Sequence, residues 1–98
     1  MTNFEEIISS NVPVLVDFYA EWCGPCETMK PILEELKSIK GDRIRIIKVD
    51  VDQHEELAAN YRIQSVPTFL IFKNKELLWR QSGVLQLSQL RNMIELYE

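Results

Sequence analysis

Cys23 and Cys26 are the only cysteines of the 98-residue chain, and Gly24 and Pro25 separate them. A loop this short gives almost no restraint on an unfolded chain, so the pair reads as reactive or metal-binding rather than as a staple. In the first turn of a helix, residues at i and i+3 share one face, and their sulfurs come close enough to bond. Dithiol and disulfide forms are then both accessible. The free N–H groups and positive dipole end of such a helix stabilise a thiolate on the residue nearest the terminus, which is Cys23. Cys23 would attack a substrate disulfide to form a mixed disulfide, and Cys26 would displace the released thiol and leave the pair oxidised. Pro25 suits a first turn, where its missing N–H has no partner, and Gly24 lets the backbone approach a bound target. Two plainer readings stand beside this one. A structural zinc takes four ligands, of which the pair supplies two, and His54 is the only histidine. Two inert buried thiols are the other, although a Gly-Pro insert is poor core material.

Asp17 interrupts the otherwise apolar run Val14-Leu15-Val16-Asp17-Phe18-Tyr19 that leads to the cysteines. An unpaired ionised carboxylate in such a strand costs several kcal/mol and tends to take up a proton, so its pKa is expected to rise. A carboxyl group titrating nearer neutrality there could serve Cys26 as general acid and base. The alternative is an ordinary strand-end aspartate bonded to backbone. Trp22, next to the nucleophile, is either a contact surface or a packing lid. His54 and the acidic group Asp50, Asp52, Glu55 and Glu56 read as solvated residues.

The elements that must position these residues follow from periodicity. Thr2 and Glu5 have capping-box spacing ahead of an amphipathic helix over 3–10, and the run 14–19 has the composition of a strand covered on both faces. Met29, Ile32, Leu33, Leu36 and Ile39 continue a helix from the cysteines to a stop at Gly41, with a kink expected at Pro31. Strands are expected over 44–49, 68–72 and 77–81, the last two joined by a turn at Asn74. A short helix over 55–61 and a closing helix through Leu87, Leu90, Ile94 and Tyr97, with Ser88 near its start, complete the order. One right-handed parallel crossover followed by an antiparallel hairpin makes a three-layer α/β/α sandwich in a single domain, residues 1–98.

Composition narrows the partners. Eleven Lys and Arg against fifteen Asp and Glu leave a formal net charge of −4, and the basic residues are scattered, which argues against nucleic acid. No apolar run approaches the roughly 18 to 20 residues of a membrane span, and the N-terminus lacks the pattern of a signal peptide, so a cytoplasmic location is expected.

The run from Asp17 through Trp22-Cys23-Gly24-Pro25-Cys26 resembles the active-site signature of the thioredoxin family almost letter for letter. The similarity continues through Lys48-Val49-Asp50-Val51-Asp52, Val66-Pro67-Thr68, Phe72-Lys73-Asn74 and Gly83, and so covers nearly the whole chain. The resemblance implies a thioredoxin fold and a monomeric protein-disulfide reductase without bound cofactor or metal, acting on disulfide-containing proteins and re-reduced by a thioredoxin reductase. It further implies a cis bond before Pro67, with Val66 offering backbone groups to an extended substrate beside Trp22, Gly24 and Pro25. Lys48 would tune the pKa of Asp17, and Gly83 would let a partner approach the cis-proline loop. An oxidant or isomerase on the same fold is a second reading, and a binding subunit that docks through Trp22 and Pro67 is a third.

Three departures from the family pattern carry expectations of their own. Most members begin with an extra strand, whereas only Met1 and Thr2 precede the first helix here, so a mixed sheet of four strands is expected. The strand over 44–49 would then be an edge, where Arg43, Arg45 and Lys48 discourage pairing with another chain. Glu27 stands where a basic residue is common and opposes the Cys23 thiolate by about 1 kcal/mol or less. Lys75 replaces a glycine common at the hairpin turn, so a different type of turn is expected.

Overall fold

The computed structural model describes residues 3–98. Strand β1 (Val14–Tyr19) is apolar on both faces and accordingly occupies the interior of the sheet, with five of its six residues buried. It pairs in parallel with β2 (Arg45–Asp50) and antiparallel with β3 (Thr68–Lys73), which in turn pairs antiparallel with β4 (Glu76–Ser82). The order β2-β1-β3-β4 gives the expected mixed sheet of four strands. Alternation along the strands divides the core. Leu15, Phe69 and Ile71 face helices α2 (Gly24–Lys40) and α4 (Leu87–Tyr97), where Met29, Leu33, Leu36, Leu90 and Ile94 meet them. Val14, Val16, Phe18, Leu70 and Phe72 face α1 (Phe4–Ile8) and α3 (Glu55–Asn60). Helices thus cover both faces, as a thioredoxin fold requires, and no helix among the described residues is long and apolar enough to cross a membrane.

Several local expectations shift. The expected Thr2 cap lies outside the described residues; Asn3 caps α1 instead, its side chain accepting the Glu6 N–H at 2.9 Å. Helix α1 ends at Ile8, short of the expected residue 10. At the head of α4 the cap is Gln86, not Ser88, in a reciprocal arrangement with Gln89. Helix α2 runs through Pro31 to Lys40 and stops at Gly41, whose φ of 55° is cheapest for a residue without Cβ. Lys40 lies buried against α4, where an unpaired ammonium would be costly, and it meets Glu95 and Glu98 at 2.7 Å each.

The hairpin keeps the two-residue turn that the lysine was expected to alter. Lys73 pairs with Glu76, and the intervening Asn74 and Lys75 have φ of 51° and 70°, the double positive pattern of a type I′ turn. The tip is held in that shape from outside, because the Asn74 and Lys75 N–H groups donate to Ser10 O and Ile8 O at 2.8 and 2.9 Å. Lysine therefore sits in a backbone conformation that glycine adopts without steric cost. The variant Lys75→Gly is expected to be more stable by about 0.5–1 kcal/mol in urea unfolding, the left-handed penalty removed exceeding the entropy added.

Candidate active site

The chain leaves β1 at Tyr19 and turns tightly, with the Cys23 N–H donated to Ala20 O at 3.2 Å. Cys23 then takes an extended conformation, φ −92° and ψ 111°, and caps α2 through its own side chain: the Cys26 N–H points to Cys23 Sγ at 3.1 Å. Sulfur thus stands where a serine or aspartate oxygen usually does. Cys23 and Cys26 form a disulfide with χ3 of 80° and a Cα–Cα separation of 5.3 Å, and both residues are largely buried. Gly24 and Pro25, exposed between them, start the helix.

A second loop comes up against this one. The Val66–Pro67 bond is cis, and Val66 O lies 3.6 Å from Cys23 Sγ. Pro67 O accepts the Gly83 N–H at 2.9 Å, and the Thr68 hydroxyl bonds to Ser65 O at 2.7 Å and to the Ser82 hydroxyl at 2.8 Å. The segment ahead of it is fixed by the Arg80 guanidinium, which donates to Tyr61 O and Arg62 O. Trp22 is 73% exposed, but its ring is not free: Nε1 donates to Asp52 Oδ2 at 2.9 Å. Asp52 is oriented by its own N–H, which donates to Asp50 Oδ1 at 2.9 Å, and Asp50 is buried. Two members of the acidic group read as solvated thus belong to the framework of the site.

Behind the cysteines, Asp17 is 2% exposed and its Oδ1 has no hydrogen-bond partner among the described residues. No backbone group satisfies that oxygen, contrary to the reading of an ordinary strand-end aspartate. Burial raises its pKa from the ordinary 3.8 to about 6, against the opposing pull of the Lys48 charge. Lys48 is the register partner of Asp17 across β1 and β2, and its Nζ lies 5.0 Å from the centre of the Tyr19 ring. Asp17, Cys26 and Lys48 line one small cavity of about 10 Å³, which is near the size of a single water. Glu27 and Lys30 also line it and pair with each other at 2.9 Å, so the negative charge expected to oppose the Cys23 thiolate has a cation beside it.

Residues 1–96 match the family model described as thioredoxin. The chain belongs to the thioredoxin family. It is 45% identical to the chloroplastic thioredoxin Y of Oryza sativa subsp. japonica over 95 residues, 96% of this chain and 56% of the relative. A thioredoxin-like protein of Synechocystis is 44% identical over 96 residues, 97% of this chain and 91% of that protein. The chain therefore spans little more than half the length of the rice relative and most of the cyanobacterial one. The X-ray structure of Fasciola hepatica thioredoxin superposes with a TM-score of 0.87 at 36% identity, over 96% of this chain and 90% of that one.

Set in this thioredoxin frame, the residues singled out by sequence fall into two groups. Trp22, Cys23, Gly24, Pro25 and Cys26 share one end of the sheet with Val66, Pro67 and Gly83, whereas Asp17 and Lys48 lie behind the cysteine pair. Sequence reasoning missed Asp52, Arg80 and Lys30. Lys30 carried a local signal, since Glu27 and Lys30 are at the i, i+3 spacing of a helical ion pair. Asp52 stood in a run shared with the family but read locally as solvated, and Arg80 carried no signal, because each acts on a residue far away in the chain.

A raised carboxyl pKa has a sign for stability. The folded chain retains a proton on Asp17 that the unfolded chain gives up above about pH 4, so stability is lost as pH rises from about 4 through about 6. The full penalty, present above that range, corresponds to about 3 kcal/mol. The variant Asp17→Asn is accordingly expected to match the wild type near pH 4 and to exceed its stability by about 2–3 kcal/mol at pH 8. Urea unfolding of both proteins at the two pH values measures this, and an unchanged difference between them would contradict it.

Proposed function

We propose that this chain is a general protein-disulfide reductase, working as one domain and as a monomer in the cytoplasm. The observation that carries the reading is the Cys26 N–H on the Cys23 sulfur at the head of α2, beside the carbonyl of the cis Val66–Pro67 loop. A helix-terminal amide favours the thiolate over the thiol, which supports Cys23 as nucleophile. The neighbouring Val66 carbonyl is open to accept a main-chain N–H from an extended substrate, while Trp22 and Gly83 flank its path.

In the first step the Cys23 thiolate attacks one sulfur of the target disulfide; that S–S bond breaks, and one target thiolate leaves. In the second, Cys26 gives its proton to the Asp17 carboxylate through the small cavity and attacks the Cys23 sulfur. The second target thiolate leaves, so two electrons have passed to the target and Cys23–Cys26 is a disulfide. Burial supports Asp17 in this role by bringing its titration close to the working pH, and Lys48 tempers the shift. No cofactor takes part. A thioredoxin reductase returns the two electrons, and a reducing compartment suits a protein that must be kept as the dithiol.

The decisive assay is NADPH-coupled insulin reduction with a panel of thioredoxin reductases. Wild type is expected to turn over with at least one of them, and Cys23→Ser to lose all turnover. Cys26→Ser is expected to accumulate mixed disulfides with target proteins, visible by mass spectrometry, because nothing remains to resolve them. Failure of the chemically reduced wild type to accelerate insulin reduction would sink the proposal.

A further inference from the structure

The loop that carries Val66 and Pro67 hangs from β4 at both ends. Downstream, the Gly83 N–H donates to Pro67 O at 2.9 Å, and the Ser82 hydroxyl bonds to the Thr68 hydroxyl, which bonds in turn to Ser65 O. Upstream, the two terminal nitrogens of the Arg80 guanidinium donate to Tyr61 O and to Arg62 O, the latter at 2.8 Å. Arg80 stands opposite Leu70 in the sheet and so faces the α3 side, where it meets the end of that helix. Gln64 and Ser65, between the two attachments, are exposed.

Arg62 is a residue that needs such support. Its φ of 53° is left-handed, a conformation that a side chain with a Cβ adopts only at a steric cost. Helix α3 closes on it: the Arg62 N–H donates to Ala59 O at 3.0 Å and the Ile63 N–H to Ala58 O at 2.9 Å, a paired ending at which glycine is the usual residue. The forked guanidinium of Arg80 grips the carbonyls immediately before and after the Arg62 Cα, and so fixes both of its peptide planes. Neither arginine takes part in an ion pair among the described residues.

We propose that Arg80 is a positioning residue for target selection: by holding Arg62 in the left-handed turn it sets where Val66 O stands relative to Cys23 Sγ, and thereby favours disulfides in polypeptides over small ones. The inference rests on the reductase reading given above. A polypeptide target uses both the sulfur and the Val66 carbonyl, which accepts its main-chain N–H, whereas a small disulfide uses only the sulfur. Releasing the upstream attachment lets Ser65 and Val66 pivot on the downstream one. The carbonyl, now 3.6 Å from Cys23 Sγ, is then misplaced, while the Cys26 N–H that supports the thiolate stays where α2 holds it.

The test mixes the full chain, chemically reduced so that no reductase is needed, with insulin or with hydroxyethyl disulfide. Oxidation of Cys23 and Cys26 is followed by acid quench, alkylation and mass spectrometry. Arg80→Ala is expected to react with insulin at least about tenfold more slowly than wild type, and with hydroxyethyl disulfide within about twofold of it. Adding Arg62→Gly to Arg80→Ala is expected to recover most of the insulin rate, because glycine holds the left-handed turn without help. That recovery separates geometry from charge, since the double variant has lost two cations and a purely electrostatic effect would deepen the loss. Should Arg80→Ala fold poorly, Arg80→Lys keeps the charge but cannot fork across two carbonyls, and must lose at least about threefold on insulin alone. Equal losses on both disulfides, full insulin activity in Arg80→Ala, or no recovery in the double variant would each overturn the proposal. A wild type inert toward insulin would instead overturn the reductase reading and this proposal with it.

Discussion

A main-chain N–H at the head of α2 points at the Cys23 sulfur from 3.1 Å, and much of the molecule serves to hold that geometry. The amide belongs to Cys26, so the two cysteines are linked by a capping bond as well as by their disulfide. For the bond to form, β1 must end just before the turn at Ala20, Cys23 must stay extended, and α2 must begin at once. The buried strand fixes the first condition, and the stiff Gly24-Pro25 pair favours the last. The long apolar face of α2, anchored through Met29, Leu33 and Leu36 to the sheet and through Lys40 to α4, keeps the helix from withdrawing. An amide held in place this way is aimed at the sulfur before any charge develops on it.

Asp17 works against this economy. The core that seats β1 so firmly also denies the carboxylate its water, and Oδ1 finds no donor in exchange. A valine there would continue the pattern of the strand. The opposing charge of Lys48, delivered in register from β2, softens the penalty without removing it, since burial remains the larger influence. A local conflict of this kind, at one position of an otherwise consistent core, is the physical source of the raised pKa.

Local chemistry was the legible part. The cysteine pair, the apolar run of β1, the period of α2 and the hairpin each announce themselves within a few positions, and the central place of β1 follows from them, whereas the count of four strands with β2 at an edge came from the family resemblance. The raised pKa of Asp17 could be foreseen because its neighbours in sequence are all apolar. What escaped depends on contacts across the fold. Asp52 reaches Trp22 over thirty positions, Asp50 is buried although its surroundings read as acidic surface, and Arg80 fixes carbonyls on another element. Lys75 misled for a related reason: a lysine is a poor choice for positive φ in isolation, and its bond to Ile8 O supplies a tertiary reason for the turn. The cis bond at Pro67 came from family resemblance, as spacing alone does not separate it from the common trans form.

The tip of the β3–β4 hairpin is not a loose end. Lys75 is bonded through its main chain to Ile8, the last residue of α1, and Asn74 to Ser10 just beyond it, so the hairpin closes the sheet and clips the first helix to it in one stroke. Hairpin tips are the customary place to graft epitopes, nick a chain or open new termini, because they are customarily free. Here such an insertion would sever two interior links and loosen α1 from the aromatic cluster of Phe4, Tyr61 and Phe72. An engineer looking for a tolerant site in this protein should leave that corner closed.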